Sequence, residues 1–208
     1  MVRITAENSQ QIGRRIVKIE PRFKEVVSKF GPAPIGVRRP TSSNFESLAD
    51  SILSQQLSTK AAATIVARVA ALSGGRLDAT EISAMRTSQL RKAGCSENKA
   101  RALLELSRAV TSGQLPIRSL SRKDDQEIME ILLPYYGIGR WSVEMFLIFQ
   151  LGRLDIWPTG DLGVRRGWEK VYKMKRDVEV DELEELGSKF APHRSHLAWY
   201  CWRAHSLY

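Results

Sequence analysis

The chain has 208 residues, with 32 lysines and arginines against 23 acidic residues, which gives a formal charge of +9 and a sequence pI of about 9.8. Hydrophobic residues make up 43% and charged residues 26%, a balance too apolar for a disordered basic tail and too mixed for a membrane-embedded protein. What remains is a folded basic protein that favours polyanions and is long enough to bury a core without disulfide or metal staples.

The N-terminal stretch from Met1 to Glu7 lacks the apolar core of a signal peptide, and the longest apolar run, near Phe146–Phe149, is far below spanning length. No membrane partner and an intracellular location are therefore expected. The spacing of Ile12, Ile16, Ile19, Phe23, Val26 and Val27 predicts one first helix, ending before Gly31-Pro32-Ala33-Pro34. Ser43 with Glu46 three residues on reads as a capping box, opening a helix through about Gln56. Ser58 or Thr59 then caps an alanine-rich helix that ends at Ser73-Gly74-Gly75.

A short helix around 88–93 stops at Gly94, and Ser96 opens a longer one to Gly113. Further helices are predicted over 124–133, 139–152, 161–172, 181–189 and 193–205. No segment alternates as a strand does, so the predicted fold class is all-α.

Charge is unevenly distributed along these elements. Nine basic and two acidic residues lie between Arg86 and Lys123, eight and four between Arg140 and Arg176, and six acids with no base between Asp177 and Glu185. The two basic segments bracket Leu132-Leu133-Pro134-Tyr135-Tyr136-Gly137-Ile138-Gly139-Arg140-Trp141-Ser142, where a helix ends, two glycines flank an isoleucine and a new helix begins. Such a turn lets a ligand approach the backbone closely, and the following helix N-terminus suits a phosphate oxygen. Twenty residues after Trp141 ends comes Asp161, in the loop Leu154-Asp155-Ile156-Trp157-Pro158-Thr159-Gly160-Asp161, where it also fits a plain helix N-cap.

Together with Ile52-Leu53-Ser54-Gln55-Gln56-Leu57-Ser58, Leu90–Ala100 and His193-Arg194-Ser195 followed by Trp202, these stretches resemble the helix-hairpin-helix (HhH-GPD) DNA glycosylases, in particular their alkylpurine, 3-methyladenine DNA glycosylase II branch. The resemblance spans roughly residues 40–205. Two departures are Tyr136, where many relatives have Pro or Lys, and Ser142-Val143, where Thr-Ala is usual; Ser142 still offers a hydroxyl to a phosphate. The resemblance implies a compact helical glycosylase fold without the β-rich domain of larger relatives. Two helical subdomains, 40–133 and 134–208, would flank an active-site cleft, with 1–39 packing on the latter, all within a single glycosylase unit over 1–208.

The same resemblance assigns roles. Asp161 is the expected catalytic carboxylate, stabilising positive charge on the sugar as an N-glycosidic bond breaks. Trp141, Met145, Trp157 and Trp202 are the expected substrate pocket, where aromatic faces would attract an alkylated, cationic purine. Gln55, Gln56 and Leu57 match the turn from which relatives fill the gap left by a flipped base, with Gln56 or Leu57 as the wedge. Gly137, Gly139, Arg140, Ser142 and Arg165 are expected DNA contacts, and the backbone carbonyls of Leu133, Tyr135 and Ile138 a site for a structural Na+ or K+.

Two absences narrow the chemistry. Relatives that also cut the strand carry a lysine where this chain has Trp141, so no Schiff base is expected. Two cysteines, Cys95 and Cys201, are too few for the four-cysteine iron–sulfur cluster of the endonuclease III branch, imply no disulfide framework and suit a reducing compartment. The implied protein is a monomeric, monofunctional DNA N-glycosylase for alkylated purines in duplex DNA, with no required cofactor. The alternatives are a non-catalytic hairpin DNA-binding module and a glycosylase for other damaged or mismatched bases.

Overall fold

A computed structural model describes residues 3–207, apart from the side chain of Thr59. Every regular element among them is helical. The chain divides into two compact units, Pro40–Phe146 and Met1–Arg39 with Leu147–Tyr208. The boundary therefore falls at Phe146 and not at 133/134, and the hairpin belongs to the 40–146 unit. The physical reason is that the hairpin helix packs on helices of that unit before the chain leaves it.

The 40–146 unit contains α3 (Asn44–Ser54), α4 (Thr59–Leu72), α5 (Ala79–Ser83), α6 (Thr87–Lys92), α7 (Glu97–Thr111), α8 (Asp125–Leu132) and α9 (Arg140–Met145), with a 3-10 turn over Ile117–Arg122. α1 (Ala6–Ile19) and α2 (Lys24–Phe30) belong to the other unit, as do α10 (Leu162–Tyr172), α11 (Val180–Ser188) and α12 (Arg194–Leu207). The predicted caps hold where they are local: Ser43 Oγ accepts from Glu46 N at 3.2 Å and Glu46 Oε2 accepts from Ser43 N at 2.7 Å. Ser58 and Ser96 likewise cap α4 and α7, and Asp124, expected inside its helix, caps α8.

Two predicted helices differ, and one short helix stands where none is predicted. The single first helix is broken at Pro21, because the residue before a proline is driven out of the α region; Glu20 sits at φ −142, ψ 98 and a 3-10 turn follows. The stretch after Gly75 holds an additional short helix, α5, capped by Asp78 Oδ1. The helix expected over 139–152 is α-helical only to Met145 and continues as a π turn over Phe146–Gln150.

In the 40–146 unit the central helix is α7, whose Leu103, Leu104 and Leu106 are buried, and α3 and α5 pack on it. In the other unit α10 and α12 form the principal pair. They cross at Gly167, where an added Cβ would lie 1.9 Å from the Cys201 carbonyl oxygen, so only glycine permits the approach. Phe23, Trp168 and Phe190 fill the core around that crossing, and Tyr172 stacks on Trp168 with ring centroids 4.4 Å apart.

Candidate functional site

The hairpin in the 40–146 unit is a tight turn between α8 and α9. Ile138 N donates to Tyr135 O at 3.1 Å, and Gly137 takes φ +79 at the third turn position, a left-handed conformation that glycine adopts without penalty. A side chain there would also collide with α7, since an added Cβ would lie 2.5 Å from Ala102 Cβ. Gly139 differs. It is the extended N-cap of α9, and nothing lies within 4 Å of a Cβ added there. What its lack of a side chain provides is open space over the first N–H groups of the helix.

Opposite this turn, α3 ends at Ser54 and the chain reverses through Ser54–Leu57, with Leu57 N donating to Ser54 O at 3.3 Å. Gln55 Nε2 donates to the Gly137 carbonyl at 2.9 Å and to Ser142 Oγ at 3.2 Å, fastening the reversal to the hairpin. Gln55 is thus an internal brace. Ser142 is only 2% exposed, so the expected phosphate contact by its hydroxyl does not hold: burial under Gln55 makes it an anchor. Gln56 is exposed, and Leu57 and Trp141 are exposed to 39% and 42%; with Gly139 they line one open depression.

Arg140 stands at the first position of α9 with its side chain 78% exposed and its Nε donating to Glu144 Oε1 at 2.9 Å. Met145 is half-buried. Leu133 is exposed, Tyr135 half-buried and Ile138 buried.

The other unit carries the carboxylate. Asp161 N-caps α10, its Oδ1 accepting from Val164 N at 2.8 Å and from Trp202 Nε1 at 2.9 Å. The loop leading to it is stitched to the start of α12. Ser195 N donates to Leu154 O, Ile156 N donates to Ser195 Oγ, and Arg194 holds both Asp155 oxygens, from Nε at 2.8 Å and Nη2 at 2.9 Å. This explains the His193-Arg194-Ser195 stretch: it ties the Asp161 loop to the helix that bears Trp202.

Trp202 has room because residue 163 is glycine; an added Cβ would lie 2.9 Å from Trp202 Cδ1. Its ring lies against Phe149, with centroids 5.6 Å apart and planes at 32°. Phe149 is 48% exposed, and Leu162, next to Asp161, 57%. Sequence reasoning missed Phe149, whose only signal was an apolar run that reads as core.

Trp157, expected in the pocket, is 5% exposed and belongs to the core. Its Nε1 donates to Leu183 O at 2.9 Å, and Gly187 makes the space for its ring. Arg165 is half-buried on α10, and no hydrogen-bond partner reaches its buried Nε among the described residues. The His193 and His196 rings lie 6.5 Å apart, but no group of three or more His, Cys, Asp or Glu side chains suited to a metal occurs among the described residues. Nor is any of their helices long and apolar enough to cross a membrane.

The glycine hairpin that joins α8 to α9 places the chain in the helix-hairpin-helix class of proteins. The model of the HhH-GPD superfamily of base excision DNA repair proteins matches residues 49–193, and the chain belongs to that family. It is 34% identical over 166 residues to DNA-3-methyladenine glycosylase 1 of Schizosaccharomyces pombe, covering 78% of this chain and 73% of the relative. An alkylbase DNA glycosidase-like protein of the same yeast is 26% identical over 199 residues, covering 94% of this chain and 93% of that one. Among solved structures, the S. pombe 3-methyladenine DNA glycosylase in complex with abasic DNA superposes with a TM-score of 0.85 at 30% identity, over 93% of this chain and 95% of that one. A DNA-3-methyladenine glycosidase from Bacillus halodurans gives 0.77 at 34% identity, over 91% and 87%.

Proposed function

We propose that this protein is a monofunctional DNA N-glycosylase that removes alkylated purines of the 3-methyladenine and 7-methylguanine type from duplex DNA, as a monomer inside the cell. The observation that carries the reading is the Asp161 carboxylate, fixed by two N–H donors at the head of α10, in a chain of the base excision repair family. The 3-methyladenine glycosylase names of the relatives and the abasic DNA bound by the S. pombe protein support the substrate class.

In the proposed reaction the damaged nucleotide leaves the stack and the bond between C1′ and the purine nitrogen breaks. The bonding electron pair departs with the base, which neutralises the positive charge that alkylation had placed on it, so no strong general acid is required. Positive charge develops on the sugar, and the Asp161 carboxylate stabilises it. Water adds at C1′ and loses a proton, taken up by the Asp161 carboxylate and passed to bulk solvent, leaving an abasic deoxyribose. An exposed ring such as that of Trp141 attracts a cationic purine by about 1–2 kcal/mol when desolvated. No amine stands at that position, so the strand is left uncut.

The 40–146 unit supplies the grip on the backbone through Gly137, Gly139 and Arg140. The monovalent cation of the hairpin belongs to the same proposal, with the carbonyls of Leu133, Tyr135 and Ile138 as its ligands. The Tyr135 carbonyl already accepts the Ile138 N–H; an oxygen with two lone pairs can serve both, and no step above depends on the cation. Weaker duplex binding when Na+ and K+ are replaced by tetramethylammonium would support it.

The deciding experiment incubates methylated duplex DNA with the wild type and with Asp161→Asn, and counts released bases and abasic sites. Release by the wild type alone, with no strand scission before alkali, is the expected result. Equal release by both, or none by the wild type, overturns the catalytic assignment.

A further inference from the structure

The reversal between α3 and α4 is held in a conformation that its own residues do not favour. Gln56 takes φ +55 at the third position of the turn, a place where glycine or asparagine is usual. The turn nevertheless ends in two side chains directed outward, Gln56 and Leu57. A strained turn with exposed contents persists only where its surroundings over-determine it.

Those surroundings are specific. Lys99, in the first turn of α7, sends its ammonium to the last turn of α3, donating to Leu53 O and to Gln55 O, each at 2.8 Å. It satisfies carbonyls that the helix end leaves without partners and places positive charge at the negative pole of α3. Burial holds this ammonium below the usual lysine range, with the nearby Cys95 acting in the opposite sense. On the other flank the Gln55 side chain is fixed to the Gly137 carbonyl and to Ser142 Oγ. The residue that precedes the strained position is therefore gripped through its backbone by α7 and through its side chain by the hairpin.

We propose that Lys99 and Gln55 are positioning residues that hold the Gln56–Leu57 tip rigid, so that it can fill the space a damaged nucleotide vacates. The proposal rests on the glycosylase reading above. A tip free to fold away would lose part of the extrusion step to its own rearrangement. A tip locked to the hairpin enters the stack in the register that the hairpin sets on the backbone. Lys99 and Gln55 touch neither base nor sugar in this assignment; they act through the two residues that follow.

The test compares two duplexes that differ only in the cost of extrusion. In one, 7-methylguanine is paired with cytosine; in the other it faces a tetrahydrofuran spacer. Single-turnover release is measured for the wild type, Lys99→Met and Gln55→Ala. For Lys99→Met, release from the paired duplex is expected to fall at least about tenfold, and from the spacer duplex less than about threefold, because extrusion costs least for an unpaired base. Gln55→Ala removes the side-chain grip on the hairpin while leaving Gln56 and Leu57 in place, and as the truncation of a half-buried side chain it decides the matter if Lys99→Met does not fold. The same lowered ratio of paired to spacer release is expected.

Equal losses on both duplexes, or no loss, overturn the proposal while leaving the glycosylase reading intact. Absence of release by the wild type from either duplex overturns that reading and the proposal with it.

Discussion

Trp202 donates its indole N–H to Asp161 Oδ1 at 2.9 Å, while Phe149 lies against the indole ring. The tryptophan expected from sequence to stack on a base therefore points its polar edge at the carboxylate. Trp202→Phe retains an aromatic ring beside Phe149 and loses only the donor. A hydrogen bond to a charged group contributes about 1.5–3 kcal/mol, so base release should slow by about tenfold to a hundredfold. Affinity for an abasic duplex should stay within about twofold, since the grip lies elsewhere. Single-turnover kinetics and fluorescence anisotropy separate the two; a fall in affinity with unchanged rate would return Trp202 to a stacking role.

Gly137 meets two constraints that can be resolved by a double-mutant cycle. Gly137→Ala forces a side chain into φ +79 and sets its Cβ 2.5 Å from Ala102 Cβ. The first costs roughly 1 kcal/mol, and overpacking adds about 1–3 kcal/mol. Ala102→Gly removes the collision without touching the backbone strain. Urea denaturation should show Gly137→Ala costing at least about 1 kcal/mol less in the Ala102→Gly background than in the wild type. Additive losses would mean that α7 shifts to make room.

His196 is fully buried in α12, and neither ring nitrogen has a hydrogen-bond partner among the described residues. Burial, with the neighbouring His193 adding to it, lowers its pKa to about 4 from 6.5. The unfolded chain takes up a proton near pH 6.5 that the folded chain refuses until about pH 4. Stability from this group is therefore full above pH 6.5, falls as pH drops through that window and levels off below it. The loss is on the order of 3 kcal/mol, and His193, also held below its usual range, adds in the same direction. His196→Leu orphans no polar group, so its unfolding free energy should fall less than the wild type's between pH 7.5 and pH 4.5. Parallel curves for the two proteins would contradict the assignment.

What the sequence made legible was what local chemistry decides. The Ser43–Glu46 capping box, the Gly137–Gly139 hairpin and the position of Asp161 before α10 each depend on residues a few places apart, and each stands where it was read. Trp157 shows the limit. Its burial is decided by the Leu183 carbonyl and by the space left at Gly187, both on α11, which no local pattern reveals. Ser142 is buried because Gln55 comes to it from 87 residues away. Phe149 is exposed at the end of a π turn, whose i→i+5 bonding abandons the 3.6-residue phase used to sort core from surface.

Arg140 tests how much of the +9 charge acts through the hairpin. Its guanidinium is held at Nε by Glu144 and otherwise projects at the first position of α9, where a phosphate would meet the helix N-terminus. Each phosphate neutralised contributes about −0.9 to the slope of log affinity against log salt. Arg140→Ala should therefore make that slope shallower by about one and weaken damaged and undamaged duplexes by the same factor. Asp161→Asn removes a negative charge without removing a phosphate contact, so it should leave the slope unchanged. Titrations of both variants between about 50 and 200 mM salt measure this. If Arg140→Ala lowered affinity for the damaged duplex alone, the arginine would be reading the lesion and not the backbone.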